Sequence, residues 1–390
     1  MIYVRRKPQL LAVLVVAFSP CLANGAPDDL IDFDRWLVLH GQSYDSVEEL
    51  FLRRDIFEAN SDIVRRHNQA FEYGLTSYAM TVASPFADLT ADEFATAYLM
   101  NGQNCSATHR SSGKLLHGEL QDLPLFVDWR TKGIVTPIKN QKRCGSCWTF
   151  STTGALEAHT CLHNAQPAGV ECTSWTGLAE QQLLDCASAY DNHGCNGGLP
   201  SHAYQYIKAA GGLDLEESYR YRADSDGPCA MSEGTVGAHV AEVYNITSFD
   251  EDDLVAAIAQ VGPVSIAYQV SPDFRFYSHG VYDSFNVTTN ETMCQSGPKD
   301  VNHAVVAVGY GETEANENSP SIHFYIVRNS WGTSFGMEGY FWIERGKNLC
   351  GVSDCASFPV VPASAKKYQS EDTQHLRSAS IHPFTLEKRG

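Results

Sequence analysis

Asn140-Gln141-Lys142-Arg143-Cys144-Gly145-Ser146-Cys147-Trp148 is the stretch on which the reading of this chain turns. Cys147 opens Trp148–Leu162, a segment whose composition reads as a helix. A thiol at a helix N-terminus feels the positive end of the dipole, which favours its thiolate. Gln141 stands six residues upstream and can offer an amide N–H to a developing oxyanion. A bare Cys-Gly-Ser-Cys is equally compatible with a disulfide-bonded or buried cysteine in an ordinary loop. The decision therefore rests on whether the chain also supplies a base and a group to orient it.

Both are present far downstream. His303 sits in Val301-Asn302-His303-Ala304-Val305, at the start of a β-branched run. Asn329 sits in Arg328-Asn329-Ser330-Trp331-Gly332, at the end of the next such run. Neighbouring strands would set imidazole beside amide. The amide oxygen could then hold one ring N–H, and a thiolate–imidazolium pair is expected in which each charge stabilises the other. Trp331 could shield that hydrogen bond from water. Ser330 lacks the Gly-x-Ser-x-Gly setting of a serine nucleophile.

The 390 residues suffice for roughly two or three compact units. A formal charge of −18 argues against nucleic acid, which wants a basic face. Arg5, Arg6 and Lys7 followed by apolar Leu10–Phe18 read as a signal peptide over residues 1–23. That apolar run is too short to span a bilayer comfortably, so no membrane partner is expected. Cys21 leaves with the leader. Eleven cysteines remain, and an odd count in an oxidising lumen leaves one thiol over. Sequons at Asn104, Asn245, Asn286 and Asn290 support a secretory route. Histidines and cysteines show no recurring zinc-like spacing, so neither metal nor cofactor is expected.

Residues 28–72 read as helical. Glu49, Arg53, Phe57, Asn60, Val64 and Asn68 recur along one face, an odd mixture of polar and apolar for a plain core helix. Residues 101–122 have linker composition. A catalytic body is expected over 123–362, with helices at 148–162, 178–186 and 199–211 in its first half. Strands are expected at His303–Tyr310, Phe324–Arg328 and Gly339–Arg345 in its second. Helices first and strands later suggest an α+β fold in two lobes, about 135–235 and 236–362. A polar tail occupies 363–390.

Taken together, these motifs resemble the papain family of cysteine proteases and, within it, the cathepsin H branch. The resemblance covers about residues 45–361. It implies Cys147 as nucleophile, His303 as general acid/base, Asn329 as orienter, and Gln141 with the Cys147 backbone N–H as oxyanion hole. Gly197 and Gly198, in Gly194-Cys195-Asn196-Gly197-Gly198, would pair with substrate backbone, and Trp331 would line the site. The Glu49–Asn68 stripe and Phe86-Ala87-Asp88 resemble an inhibitory prosegment, placing residues 24–122 as a propeptide. The resemblance implies a helical lobe, a β-barrel-like lobe and a cleft between them. It also implies disulfides Cys144–Cys195, Cys186–Cys229 and Cys294–Cys350; Cys161 and Cys172 then remain for each other.

Gln103-Asn104-Cys105-Ser106-Ala107-Thr108 resembles a prosegment remnant held in the mature cleft through a bridge from Cys105 to Cys355. The Thr108 carboxylate, freed by cleavage, would hold a substrate's α-ammonium and favour removal of single N-terminal residues. The expected partners are peptide and protein substrates and the chain's own prosegment; a monomer is expected, in a lysosomal, vacuolar or extracellular setting. Lys142 and Arg143 depart from the family, which prefers small residues there. His303 and Asn329 lie 156 and 182 residues after Cys147, beyond the ~130–150 of the family spacing. A plain endopeptidase and an inactive binding or storage protein remain as alternatives.

Overall fold

The computed structural model describes residues 31–105, 123–164, 166–167, 169–231, 235–315 and 320–362. The expected leader, the segment carrying Thr108 and the polar tail lie outside the described residues.

The single helix expected over 28–72 is two: α1 (Phe33–His40) and α2 (Val47–Glu72). Gly41 ends α1 at φ 61°, a left-handed cap whose N–H points back to the Leu37 and Val38 carbonyls. Ser46 opens α2, its Oγ accepting from Glu49 N at 3.0 Å. The polar members of the stripe now have a reason. Arg53 donates to Glu49 and, through both terminal nitrogens, to Glu93. Asn60 Nδ2 donates to the Ala87 and Leu89 carbonyls, and Asn68 exchanges two hydrogen bonds with Met80. These residues lace α2 to the loop beneath it, while Phe57 and Val64 are buried. The loop runs through strand β1 (Tyr78–Met80) into α3 (Ala91–Tyr98), which begins with a Thr90/Glu93 capping box.

The helical lobe holds α4 (Cys147–Leu162), α5 (Glu180–Cys186) and α6 (Pro200–Ala210), with strands β2 (Val127–Asp128), β3 (Leu213–Asp214) and β4 (Val236–Ala238) nearby in sequence. Every residue from Cys147 to Cys161 is buried, so α4 is a central helix rather than an amphipathic surface one. The second lobe adds β5 (Glu242–Asn245), α7 (Glu251–Gln260), β6 (Val264–Tyr268), β7 (Tyr277–Tyr282) and the hairpin β8 (Phe285–Asn286) with β9 (Glu291–Thr292). It closes with β10 (His303–Glu312), β11 (His323–Arg328), β12 (Tyr340–Glu344) and β13 (Ser357–Val360). The large sheet runs β1-β7-β12-β11-β10-β6-β13-β5, with β2 also on β10. The α+β class holds, but the barrel-like lobe is corrected: among the described residues the sheet stays open, with β1 and β5 as its ends. One edge is therefore lent by the prosegment, whose β1 pairs antiparallel with β7 through Tyr78–Gly280. That pairing covers backbone groups that an edge strand would otherwise leave open.

The prosegment docks through aromatic and polar groups together. Phe86 and Phe94 meet the Trp331 ring edge to face at 5.4 and 5.3 Å. Tyr78 donates to buried Asp273, and Arg275 Nη2 donates to Asn60 at 3.0 Å. His67 packs its ring 4.3 Å from that of Tyr78, with Nε2 2.9 Å from the Tyr78 carbonyl.

Burial lowers the pKa of His67 below 6.5, against the pull of the Tyr78 carbonyl, Asp273 and Asp283; burial lowers His40 likewise. A released prosegment takes up the His67 proton more readily than a docked one, whereas His40 is packed on Trp36 and Ala83 within the prosegment itself. Docking is then fully favoured above about pH 6.5 and weakens as pH falls below it. Glu93, held at about 2 mainly by Arg53, stays ionised over this range, and Asp88, raised by burial, opposes only near the carboxylate range. His67→Gln should therefore shift acid-triggered release of the prosegment to lower pH, read by following prosegment loss from the full-length chain. An unshifted release profile would contradict this assignment.

Candidate active site

Two strands and one helix start bring the site together. β10 and β11 pair antiparallel with Val306 opposite Arg328. Carrying that register beyond the strand end sets Trp331 opposite His303 and leaves Asn329 on the same face. The geometry follows suit: His303 Nε2 lies 2.8 Å from Asn329 Oδ1, and the Trp331 ring stacks on the imidazole at 4.5 Å. Asn329 Oδ1 also accepts from Ser330 N, which fixes the amide orientation. The His303 Nδ1 atom is buried with no hydrogen-bond partner among the described residues.

Cys147 is the one free cysteine among the described residues, and it is buried. Its Sγ accepts from Ala304 N at 3.3 Å, which seats the sulfur against the residue following His303. The structure bridges Cys105–Cys355, Cys144–Cys195, Cys161–Cys172, Cys186–Cys229 and Cys294–Cys350. Helix α4 is locked onto β10 beneath the site by Ser151 Oγ, which donates to the Val305 carbonyl at 2.7 Å. Lys139, Glu157 and Glu180 form a buried ion cluster on the helical side, with Nζ–O distances of 2.8 and 2.6 Å.

The cleft is filled by the prosegment. Gln141 Nε2 donates to the Tyr98 carbonyl at 2.8 Å, as well as to its own loop at Cys144. A prosegment carbonyl thus sits on the amide that the sequence assigns to an oxyanion. Beyond Tyr98 the chain runs between two walls. Met100 N, Gln103 N and Cys105 N donate to the Asn302, Val301 and Pro298 carbonyls on the β side, and Asn101 N donates to Asn196 O on the helical side. Gly197, at φ 124°, permits this approach: a Cβ there would stand 2.9 Å from the Met100 Cβ. At Gly198 a Cβ would meet Trp148 and Asn192 instead, so that glycine serves packing in this form.

Sequestration changes the acid–base chemistry. Burial pushes the Cys147 thiol up to about 12, despite backbone hydrogen bonds from Ala304 and others, and pushes His303 down to about 4, despite Asn329. Burial thus favours the neutral form of each group beneath the prosegment, and the thiolate–imidazolium pair expected from sequence is disfavoured in this occupied form. Sequence reasoning missed Tyr98, Met100, Ala304 and Tyr221, whose hydroxyl donates to the Gln141 carbonyl at 2.6 Å. Only the backbone trajectory reveals the first three, because they act through main-chain atoms.

Residues 123–360 match the papain family cysteine protease domain, and residues 33–94 match the cathepsin propeptide inhibitor domain. The chain belongs to the papain family of cysteine proteases and is made as a zymogen with its own inhibitory prosegment. Among its relatives are thiol protease aleurain of Arabidopsis thaliana, 46% identical over 337 residues covering 86% of each chain, and pro-cathepsin H of Bos taurus. The latter is 44% identical over 333 residues, covering 84% of this chain and 89% of that one. Similar solved structures include digestive procathepsin L 3 of Tenebrio molitor larval midgut, with a TM-score of 0.69 and 32% identity over 84% of this chain and 97% of that one. The recombinant stem bromelain precursor gives 0.69 and 27%, over 85% and 98%.

Asn329→Ala removes the oxygen that holds His303 Nε2. We expect the matured variant to lose roughly 10–100-fold in kcat/KM, by analogy with the loss of other orienting partners, and its pH–rate profile to narrow because His303 loses a group that raises its pKa. Kinetics across pH on the matured enzyme measure both; an unchanged profile would count against an orienting role.

Proposed function

We propose that the matured chain hydrolyses peptide bonds through an acyl-enzyme on Cys147, acting mainly as a cathepsin H-like aminopeptidase with some endopeptidase activity. Once the prosegment core leaves, water and substrate re-enter and the cost of charge at Cys147 and His303 falls. A proton passes from Sγ to the imidazole, and the thiolate sulfur attacks the carbonyl carbon. The carbonyl oxygen takes up negative charge beside the Gln141 amide and the Cys147 backbone N–H. The imidazolium then protonates the leaving amine as the C–N bond breaks. Water, deprotonated by the same imidazole, hydrolyses the thioester and restores the thiol. Asn329 holds the ring in place throughout, and Trp331 keeps water from that hydrogen bond.

The aminopeptidase reading is carried by the bridge from Cys105 to Cys355, which fastens the end of the cleft-lying segment to the catalytic body. Cys105 is fully buried and Cys355 nearly so. If cleavage on both sides leaves this piece in place, it fills the side of the cleft that would receive residues preceding the scissile bond. Thr108 would supply its terminal carboxylate to a free amine. The name of the relative pro-cathepsin H accords with a cathepsin H-like reading, and that of thiol protease aleurain with a thiol protease. The acidic charge balance suits a lysosomal or vacuolar setting reached through the secretory pathway. Full departure of the segment would leave a plain endopeptidase.

Feeding the matured enzyme paired peptidyl amides with free and blocked N-termini separates these. We expect the free-amine substrates to be turned over at least tenfold faster, and Cys105→Ser to erase the difference by releasing the tether. Equal turnover of both substrates by the wild-type enzyme would defeat the aminopeptidase reading. Gln141→Ala should lower kcat by roughly 10²–10³, the usual cost of one lost oxyanion donor.

A further inference from the structure

We propose that Tyr221 is a positioning residue for the oxyanion-binding amide: its hydroxyl pins the Gln141 carbonyl and holds the strained turn at Lys142 in the conformation that aims Gln141 Nε2 into the cleft. The inference rests on the reading of Gln141 as oxyanion donor and assigns that donor its support. Tyr221 lies between β3 and β4, and its phenol donates to the Gln141 carbonyl at 2.6 Å. That carbonyl can only accept, so the phenol proton is committed to it. The Ser146 hydroxyl, 2.6 Å from the phenol oxygen, therefore donates to the phenol in turn. One side chain thus joins the oxyanion loop to the residue before Cys147. Tyr221 is itself held firmly. Its N–H donates to Glu216 Oε1 at 2.9 Å, and its ring meets that of Phe150, in the first turn of α4, edge to face at 4.9 Å. Burial raises the phenol above its usual range, so the hydroxyl keeps its proton across acidic and neutral pH.

The donor needs this support because its loop is strained. Lys142 sits at φ 54°, a left-handed conformation that is unfavourable for any residue with a Cβ. The peptide unit joining Gln141 to Lys142 is fastened at both ends, its carbonyl on Tyr221 and its N–H on Asn140 Oδ1 at 2.8 Å. Rotation of that unit is the movement that relaxes φ at Lys142, and both hydrogen bonds oppose it. The Gln141 N–H donates to the Ser330 carbonyl at 2.8 Å, just beyond the end of β11. With its main chain fixed on both sides of the Cα, the Gln141 side chain leaves the backbone in one direction. Its Nε2 is delivered to the place now taken by the Tyr98 carbonyl. Gln141, Ser146, Phe150 and Glu216 all belong to the catalytic body, so these contacts of Tyr221 do not depend on the prosegment.

The test compares Tyr221→Phe, which keeps the ring and removes the hydroxyl, with Gln141→Ala and with the double variant, all as matured enzymes on a free-amine peptidyl amide. We expect Tyr221→Phe to lower kcat by roughly three- to tenfold, the size of one lost neutral hydrogen bond. KM should change little, because the oxyanion forms only along the reaction. Alkylation of Cys147 by iodoacetamide, which needs no oxyanion donor, should keep its wild-type rate and reports that the site is folded. Adding Tyr221→Phe to Gln141→Ala should cost almost nothing further, since the phenol acts through that amide. Adding Lys142→Gly to Tyr221→Phe should return part of the lost kcat, because glycine holds the turn without strain. Wild-type kcat in Tyr221→Phe, a loss that adds in full to that of Gln141→Ala, or no recovery with Lys142→Gly would overturn the inference. So would alkylation slowed in step with kcat, the mark of a merely structural role. Wild-type kcat in Gln141→Ala defeats the oxyanion reading and this inference with it, whereas a loss in Gln141→Ala with none in Tyr221→Phe defeats this inference alone.

Discussion

Contact between the Cys147 sulfur and the backbone N–H of Ala304 is the point on which this molecule turns. It joins the first residue of the central helix to the second residue of a long strand, and so joins the two halves of the fold. Around it the chain has arranged unusually firm support. Ser151 ties α4 to β10, and Ser265 Oγ donates to the Ser151 carbonyl from the adjoining strand. Tyr204 and Ser265 share a further buried hydroxyl contact. A sulfur held by packed helix and sheet, rather than by a loop, can be positioned to within the tolerance that covalent chemistry demands.

That firmness explains how inhibition can be achieved without distorting the site. The prosegment supplies a carbonyl to Gln141, aromatic rings to Trp331 and backbone donors to both cleft walls, leaving the His303–Asn329 hydrogen bond intact at 2.8 Å. What it changes is the dielectric. With water excluded, a thiol and an imidazole have no reason to exchange a proton, and the neutral form of each is favoured. Latency in this account is electrostatic as much as steric. Burial also disfavours the charged form of His67 at the docking face, so acidification works against the docked lid.

The chemistry-bearing residues were legible in the sequence because each sits in a short local motif whose meaning survives without coordinates. His303 and Asn329 could be brought near one another because each stands at the end of a β-branched or aromatic run that reads as a strand. The break at Gly41 was not, since a glycine inside a helical pattern is tolerated as often as it caps. The open sheet was missed because strand order depends on long-range pairing that no local signal reports, here including a strand lent by the prosegment. Tyr98 was invisible for a related reason: it acts through its carbonyl, and any residue could occupy that position. The charge state of Cys147 in this occupied form was not legible, because the helix dipole is local whereas burial is a property of the whole assembly.

The most direct test is a thiolate titration by ultraviolet difference absorbance, run in parallel on the full-length chain and the matured enzyme, with Cys147→Ser as the blank. The account predicts no Cys147 thiolate signal in the full-length chain across acidic and neutral pH, and a clear one in the matured enzyme that vanishes when His303 is replaced by Ala. A thiolate already present in the full-length chain at neutral pH, or none in the matured enzyme, would contradict it.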